Sequence, residues 1–192
     1  MSLPIHKLGP HEAGMRLSAN DFSSADFQEP FIYERVRGRL VVMTPSGPEH
    51  RKAARPFYRE LCAYWQQHQN LVDAVDVEGW VATSEHDDRI PDICMYLSGE
   101  MSDQDVPHRV PDLIFEFVST NRSDQERDYI DKREEYHRIR VQEYVIVDRL
   151  KRQALVLTWQ AGDFAERVLG PADAYTAQLL AGFSIDLAEV LG

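Results

Sequence analysis

Pro111-Asp112-Leu113-Ile114-Phe115-Glu116-Phe117-Val118 is the stretch that decides the fold. Leu113 to Val118 is a short apolar run suited to a central strand covered on both faces. Glu116 interrupts it, and an ionised carboxylate inside a buried strand is costly unless it is paired or binds a cation. A second acid has the same setting upstream. Asp92, in Arg89-Ile90-Pro91-Asp92-Ile93, stands near the start of a strand predicted over Ile90 to Leu97.

Further strands and helices follow from hydrophobic period. Phe31 to Val36 and Arg39 to Met43, joined by Arg37-Gly38, read as a hairpin. Thr44-Pro45-Ser46-Gly47-Pro48 breaks that pattern, and Ala53, Phe57, Leu61, Tyr64 and Trp65 then recur at helical spacing between Glu49 and Gln69. Val72 to Thr83 alternates as one strand, followed by a charged turn, Glu85-His86-Asp87-Asp88. A polar connector from Ser98 to Arg109 leads to the central run, a helix from Ser123 to Arg140 follows, and Glu143 to Asp148 is another buried strand. Ala154 to Trp159 and Phe164 to Leu169 add antiparallel strands. The order predicts an α/β fold, a mixed sheet flanked by helices, with an N-terminal hairpin and C-terminal antiparallel strands. Residues 1–30 form an irregular arm and a short helix capped by Ser18 or Asn20, and residues 31–192 form a single domain.

At 192 residues, 43% hydrophobic and 28% charged, the chain can bury one core. Two cysteines, Cys62 and Cys94, supply neither a disulfide framework nor a zinc spacing. No run of about 18 apolar residues and no secretory leader pattern occurs, so a cytoplasmic location without membrane association is the default expectation. A net charge of −11 argues against non-specific coating of nucleic acid, which draws on a basic surface. The charge is uneven, however. Arg122 to Arg152 holds 9 of the 21 Lys and Arg but 8 of the 32 Asp and Glu, so a phosphate-facing surface should include this segment.

On the predicted helix, Tyr129, Lys132, Tyr136 and Ile139 share one stripe. A lysine among aromatics has a plain reading, pairing with Asp128 or Glu135 along the helix, and a sharper one, an ammonium beside Glu116 that stabilises charge on a phosphate. For Asp92 or Glu116 alone a structural salt bridge is the simpler account. Two such acids followed by a lysine point instead to a hard cation, Mg²⁺ or Mn²⁺, with open positions for water and phosphate. Glu34 is a weaker third acid, equally explicable as a hairpin surface charge. The plain reading of His50 is a partly exposed capping-turn histidine; the other is a residue facing the metal site or a phosphate. Zinc-hydrolase, Gly-rich phosphate-loop and nucleophile-elbow patterns are absent.

These residues resemble the Uma-two type restriction endonucleases, a bacterial branch of the PD-(D/E)XK nuclease superfamily. The carriers are Tyr33-Glu34 with Gly38 and Leu40, Pro45 to His50, Arg89 to Asp92, Pro111 to Ser119, Asp128, Lys132, Tyr136, Glu143 to Asp148, and Leu180 to Leu187. The resemblance implies a restriction-endonuclease-like core in which Asp92 and Glu116 bind the metal, helped by the Phe117 carbonyl, with Glu34 as accessory acid. The superfamily name expects lysine two residues after Glu116, where this chain has Val118; the resemblance moves that role to Lys132. A smaller departure is Arg140-Val141-Gln142 in place of a common Gly-Val-Pro turn, which bears on how the helix ends.

The sequence therefore predicts a Mg²⁺- or Mn²⁺-dependent endonuclease acting on DNA, with Asp92, Glu116, Lys132 and Glu34 at its centre. Two rivals stand beside it: a non-catalytic module of the same fold that binds protein or nucleic acid, and a metal-free glycosidase using two carboxylates. A homodimer is a candidate partner, because Leu155, Leu157, Trp159, Phe164 and Val168 fit either a core or a dimer face.

Overall fold

A computed structural model describes residues 7–98, 109–119 and 126–192. The predicted connector between Ser98 and Arg109 and the first turn of the helix predicted from Ser123 fall outside these residues. Helix α1 (Ala19–Ser23) starts at Ser18, whose hydroxyl accepts from the Asp21 N–H at 3.1 Å while Asp21 accepts from the Ser18 N–H at 3.3 Å. Strands β1 (Ile32–Val36) and β2 (Arg39–Met43) form the predicted hairpin. Both turn residues are left-handed, Arg37 at φ 52° and Gly38 at φ 70°, as a tight two-residue turn matching the strand twist requires. Phe22, Tyr33 and Leu40 close a small core between the N-terminal segment and the hairpin.

Helix α2 (Pro48–Gln67) carries its apolar stripe of Ala53, Phe57, Leu61 and Tyr64 inward. The strand predicted over Val72 to Thr83 is two strands. β3 (Val72–Val77) stays in the main sheet, whereas β4 (Val81–Ser84) leaves it to pair with β5 (Asp87–Arg89) beside the hairpin. The break lies at Glu78, left-handed at φ 55°, and at Gly79, where a Cβ would stand 3.2 Å from the Asp76 Cβ and 3.5 Å from the Cys94 sulfur. The charged turn is also shorter than predicted. Asp87 and Asp88 belong to β5, and Asp88 is buried, accepting from Arg35 Nε at 2.6 Å and from Trp80 Nε1 at 2.9 Å.

The main sheet adds β6 (Ile93–Leu97), β7 (Leu113–Phe117), β8 (Glu143–Asp148), β9 (Gln153–Gln160) and β10 (Asp163–Leu169), in the order β10-β9-β8-β7-β6-β3. Only the β7–β8 pair is parallel. Strand alternation sends Ile93, Met95, Leu113, Phe115, Phe117, Val145 and Val147 to one face, against α2 and the C-terminal segment. Cys94, Tyr96, Ile114, Tyr144 and Ile146 point to the other, towards Tyr136 and Val141. Glu116 falls on that second face, one residue from the Phe115 and Phe117 that pack on Phe57. The sheet is thus covered on both sides, as the unbroken apolar run of β7 requires.

Helix α3 begins with a π-helical turn, Arg127–Asp131, and continues as α-helix, Lys132–Arg138. The wider turn alters the predicted stripe: Asp128, Lys132, Glu135 and Tyr136 are buried, and Tyr129 is only partly covered. The chain closes with β11 (Ala174–Tyr175), β12 (Ile185–Asp186) and α4 (Ala188–Leu191). Leu155, Leu157 and Phe164 are core residues and Trp159 packs against them, so of the five candidates for a dimer face Val168 alone is exposed. Among the described residues no helix is long and apolar enough to cross a membrane.

Candidate active site

Four elements meet where β6 and β7 run side by side. Asp92 immediately precedes β6, and its Oδ2 accepts from the Phe117 N–H at 2.8 Å. In an extended strand the N–H and C=O of one residue leave by the same edge, so the Phe117 carbonyl is turned towards Asp92 too. Asp92 Oδ1 lies 3.0 Å from His50 Nε2, on the first turn of α2. His50 thus stands partly exposed on the first turn of the helix, as the plain reading has it, but faces Asp92 rather than capping the helix. The cap of α2 is Gly47, without a side-chain hydrogen bond, and the His50 side chain is only 18% exposed. Its Nε2 is buried and lies against Asp92 as an ion-pair contact.

Glu116 projects from β7 to α3. Its Oε1 accepts from Lys132 Nζ at 2.6 Å and from the Tyr136 hydroxyl at 3.2 Å. Lys132 Nζ also lies 3.5 Å from Asp128 Oδ1 and 3.9 Å from Glu34 Oε1. Pairing along the helix is therefore present for Asp128, while Glu135 takes another partner. Glu34 is not a hairpin surface charge. It is fully buried, with Oε1 accepting from the Ile90 N–H and Oε2 from Arg89 Nη1, each at 3.0 Å. Arg89 in turn makes a two-pronged pair with Glu135, Nη2 to Oε1 at 2.6 Å and Nε to Oε2 at 2.8 Å, and Thr83 donates to the same Oε2 at 2.8 Å. This network binds the hairpin sheet to α3.

The electrostatics follow from burial and crowding. Burial drives the Glu116 carboxyl well above its ordinary range, and Asp92 and Asp128 push it further against the pull of Lys132. Asp128 is raised for the same first reason, and its Oδ1 is buried without a hydrogen bond. Burial favours the neutral amine of Lys132, but Glu116, Asp128 and Glu34 together outweigh it and hold the ammonium charged. Burial also opposes ionisation of Glu34, yet Lys132, Arg89, Arg127 and the Ile90 N–H bring its carboxyl below the usual value. A cleft of about 660 Å³ opens over these groups, lined by Glu34, His50, Asp92, Glu116, Asp128 and Lys132 among others.

The structure thus brings all four of the sequence's candidates, Asp92, Glu116, Lys132 and Glu34, into one cleft with Phe117 on its wall. Reading the chain missed Arg89 and Glu135 as the brace behind them. Their only signal was charge beside apolar strand or helix positions, which does not say what lies opposite.

The profile of a family described as "Uma2: Putative restriction endonuclease" matches residues 19–188. The chain belongs to the Uma2 family. Among solved structures it is similar to a protein from Anabaena variabilis ATCC 29413 titled a putative nuclease belonging to DUF820, at 14% identity with a TM-score of 0.68. That match covers 91% of this chain and 97% of the other, and carries the nuclease-type fold, a large mixed sheet flanked by helices. No curated protein matches the chain. In this Uma2 chain Val118 holds the position two residues after Glu116, and the buried lysine that reaches Glu116 comes from α3.

Proposed function

We propose that the protein is a Mg²⁺- or Mn²⁺-dependent endonuclease that hydrolyses DNA phosphodiester bonds. The observation that carries this reading is the buried Lys132–Glu116 pair, 2.6 Å apart, on a cleft whose wall also holds Asp92. Support also comes from the local charge balance. Glu34, Asp92, Glu116, Asp128 and Glu135 are five carboxylates, against Lys132, Arg89 and Arg127 as permanent cations. A divalent cation would offset that surplus. Among the described residues no three His, Cys, Asp or Glu side chains already stand as a metal-ligating group. The proposed donors are accordingly the Asp92 and Glu116 carboxylates and the Phe117 carbonyl, leaving positions for water and phosphate. When bound, a hard divalent cation supplies Lewis acidity and lowers the pKa of water at the site.

The chain's own groups do the remainder. Lys132, fixed by three carboxylates, presents a permanent positive charge that stabilises negative charge developing on a phosphoryl oxygen. Glu34, itself held by Arg89, keeps that ammonium from turning away, and His50 stands 3.0 Å from Asp92 on the opposite side. The test is cleavage of double- and single-stranded DNA in Mn²⁺, Mg²⁺ or EDTA, with Asp92→Ala and Lys132→Ala alongside. The reading expects metal-dependent cutting lost in both variants. No cutting, or cutting that survives Asp92→Ala, overturns it and leaves a binding module of the same fold.

A further inference from the structure

A second groove of about 480 Å³ adjoins the cleft, sharing Ser46, His50, Glu78 and Asp92 with it and running along the outer face of α2. Its helical wall, with His50 and Ala54, includes Arg51, Arg55 and Tyr58, at i, i+4 and i+7 and therefore on one stripe. All three are exposed, and the Tyr58 residue keeps 43% of its surface in water. Helix α2 holds four basic and two acidic side chains in a chain of net charge −11. Both acids are engaged, Glu49 by Arg149 and Glu60 by Arg59. Arg55 enters no ion pair among the described residues. Arg51 donates to the Ser46 carbonyl, which holds its guanidinium at the lip where the two cavities join.

We infer that this groove takes a single-stranded segment of the DNA substrate and leads it to Asp92, with Arg51 and Arg55 on its phosphates and Tyr58 stacked on a base. The occupant's identity rests on the nuclease reading. Two features select an unpaired strand over a duplex. An exposed ring beside arginines can stack only on a base whose face is free, and duplex bases hide theirs. The acidic balance elsewhere on the chain also opposes laying a duplex over a broad surface, whereas a single strand needs only one cationic stripe.

The test is fluorescence anisotropy with a labelled single strand and with a blunt duplex of the same sequence, in EDTA, so that binding is read without hydrolysis. The single strand should bind at least tenfold more tightly. Tyr58→Ala should weaken it about tenfold and Tyr58→Phe should restore it, since stacking needs the ring and not the hydroxyl. Arg51→Ala and Arg55→Ala should each reduce the slope of log affinity against log salt by about 0.7. Duplex binding as tight as single-strand binding, or affinity indifferent to Tyr58→Ala, overturns the inference. The cleavage assay separates the two claims. A protein that binds single strands through Tyr58 but never cuts removes the nuclease reading alone; one that cuts but ignores Tyr58→Ala removes the groove alone.

Discussion

The Lys132 ammonium and the Glu116 carboxylate meet at 2.6 Å with side chains 3% and 4% exposed, although one belongs to a helix and the other to the sheet beneath it. Neither charge could be buried there by itself. Removing one partner of a buried pair leaves the other desolvated, and Lys132→Met should lower stability by about 3 kcal/mol at pH 8. The loss should shrink at pH 5. Burial already raises the Glu116 carboxyl, and without the lysine it takes up a proton more readily and ceases to be a buried charge. Urea denaturation at the two pH values checks this; an equal loss at both would contradict the assignment of the cost to an unpaired Glu116.

Asp128 gives the opposite expectation. Its Oδ1 has no hydrogen bond, and burial raises its carboxyl, so the ionised form is a burden on the fold at neutral pH. Asp128→Asn should stabilise the metal-free protein by about 1 kcal/mol at pH 7. A raised carboxyl binds its proton more tightly folded than unfolded, so the wild type gains stability as pH falls through the folded pKa. The advantage of Asp128→Asn should close over that interval, which thermal melts across a pH series would show.

His50 touches Asp92 at 3.0 Å and contributes no cap to its own helix. A residue that orients a ligating carboxylate typically changes metal affinity by about 10–100-fold when removed. If Asp92 ligates the metal as proposed, His50→Ala should weaken Mn²⁺ binding within that range in calorimetric titration. Unchanged Mn²⁺ affinity would leave His50 as a packing residue.

Helix α3 ends in a left-handed residue. The Val141 N–H donates to the Tyr136 carbonyl and the Arg140 N–H to the His137 carbonyl, both at 3.0 Å, which places Arg140, at φ 64°, where such an ending favours glycine. Arg140→Gly should raise stability by about 0.5–1 kcal/mol, readable as an upward shift in Tm. A fall in Tm would mean that the arginine side chain contributes more than its backbone costs.

What could be read along the chain was whatever leaves a local trace. Glu116 showed itself because it breaks an apolar run, Lys132 because it stands on an aromatic stripe, and the hairpin because Arg37-Gly38 separates two β-rich segments. Glu34 left no such trace. On a hairpin with one face in water its flanking arginines would be surface partners, and it is buried because β4 and β5 extend that hairpin into a second sheet packed against α3. The same displacement hid the break after Val77. Alternation continues through Glu78-Gly79-Trp80, while the strand changes sheets because the backbone turns left-handed there and Gly79 fits against Asp76 and Cys94.

The sequence by itself determined most of the strands and helices, the covered central strand and the presence of an acid in each of two apolar settings, since these depend on periods of two to four residues. Only the tertiary structure decided which charges share one another. It assigned Glu135 to Arg89 rather than to Lys132, turned His50 from a cap to Asp92, and left Asp128 with an oxygen lacking a hydrogen bond. The reason is physical. The energy of a charge depends on its distance to other charges and on the water removed around it, and both are set by residues far apart in sequence.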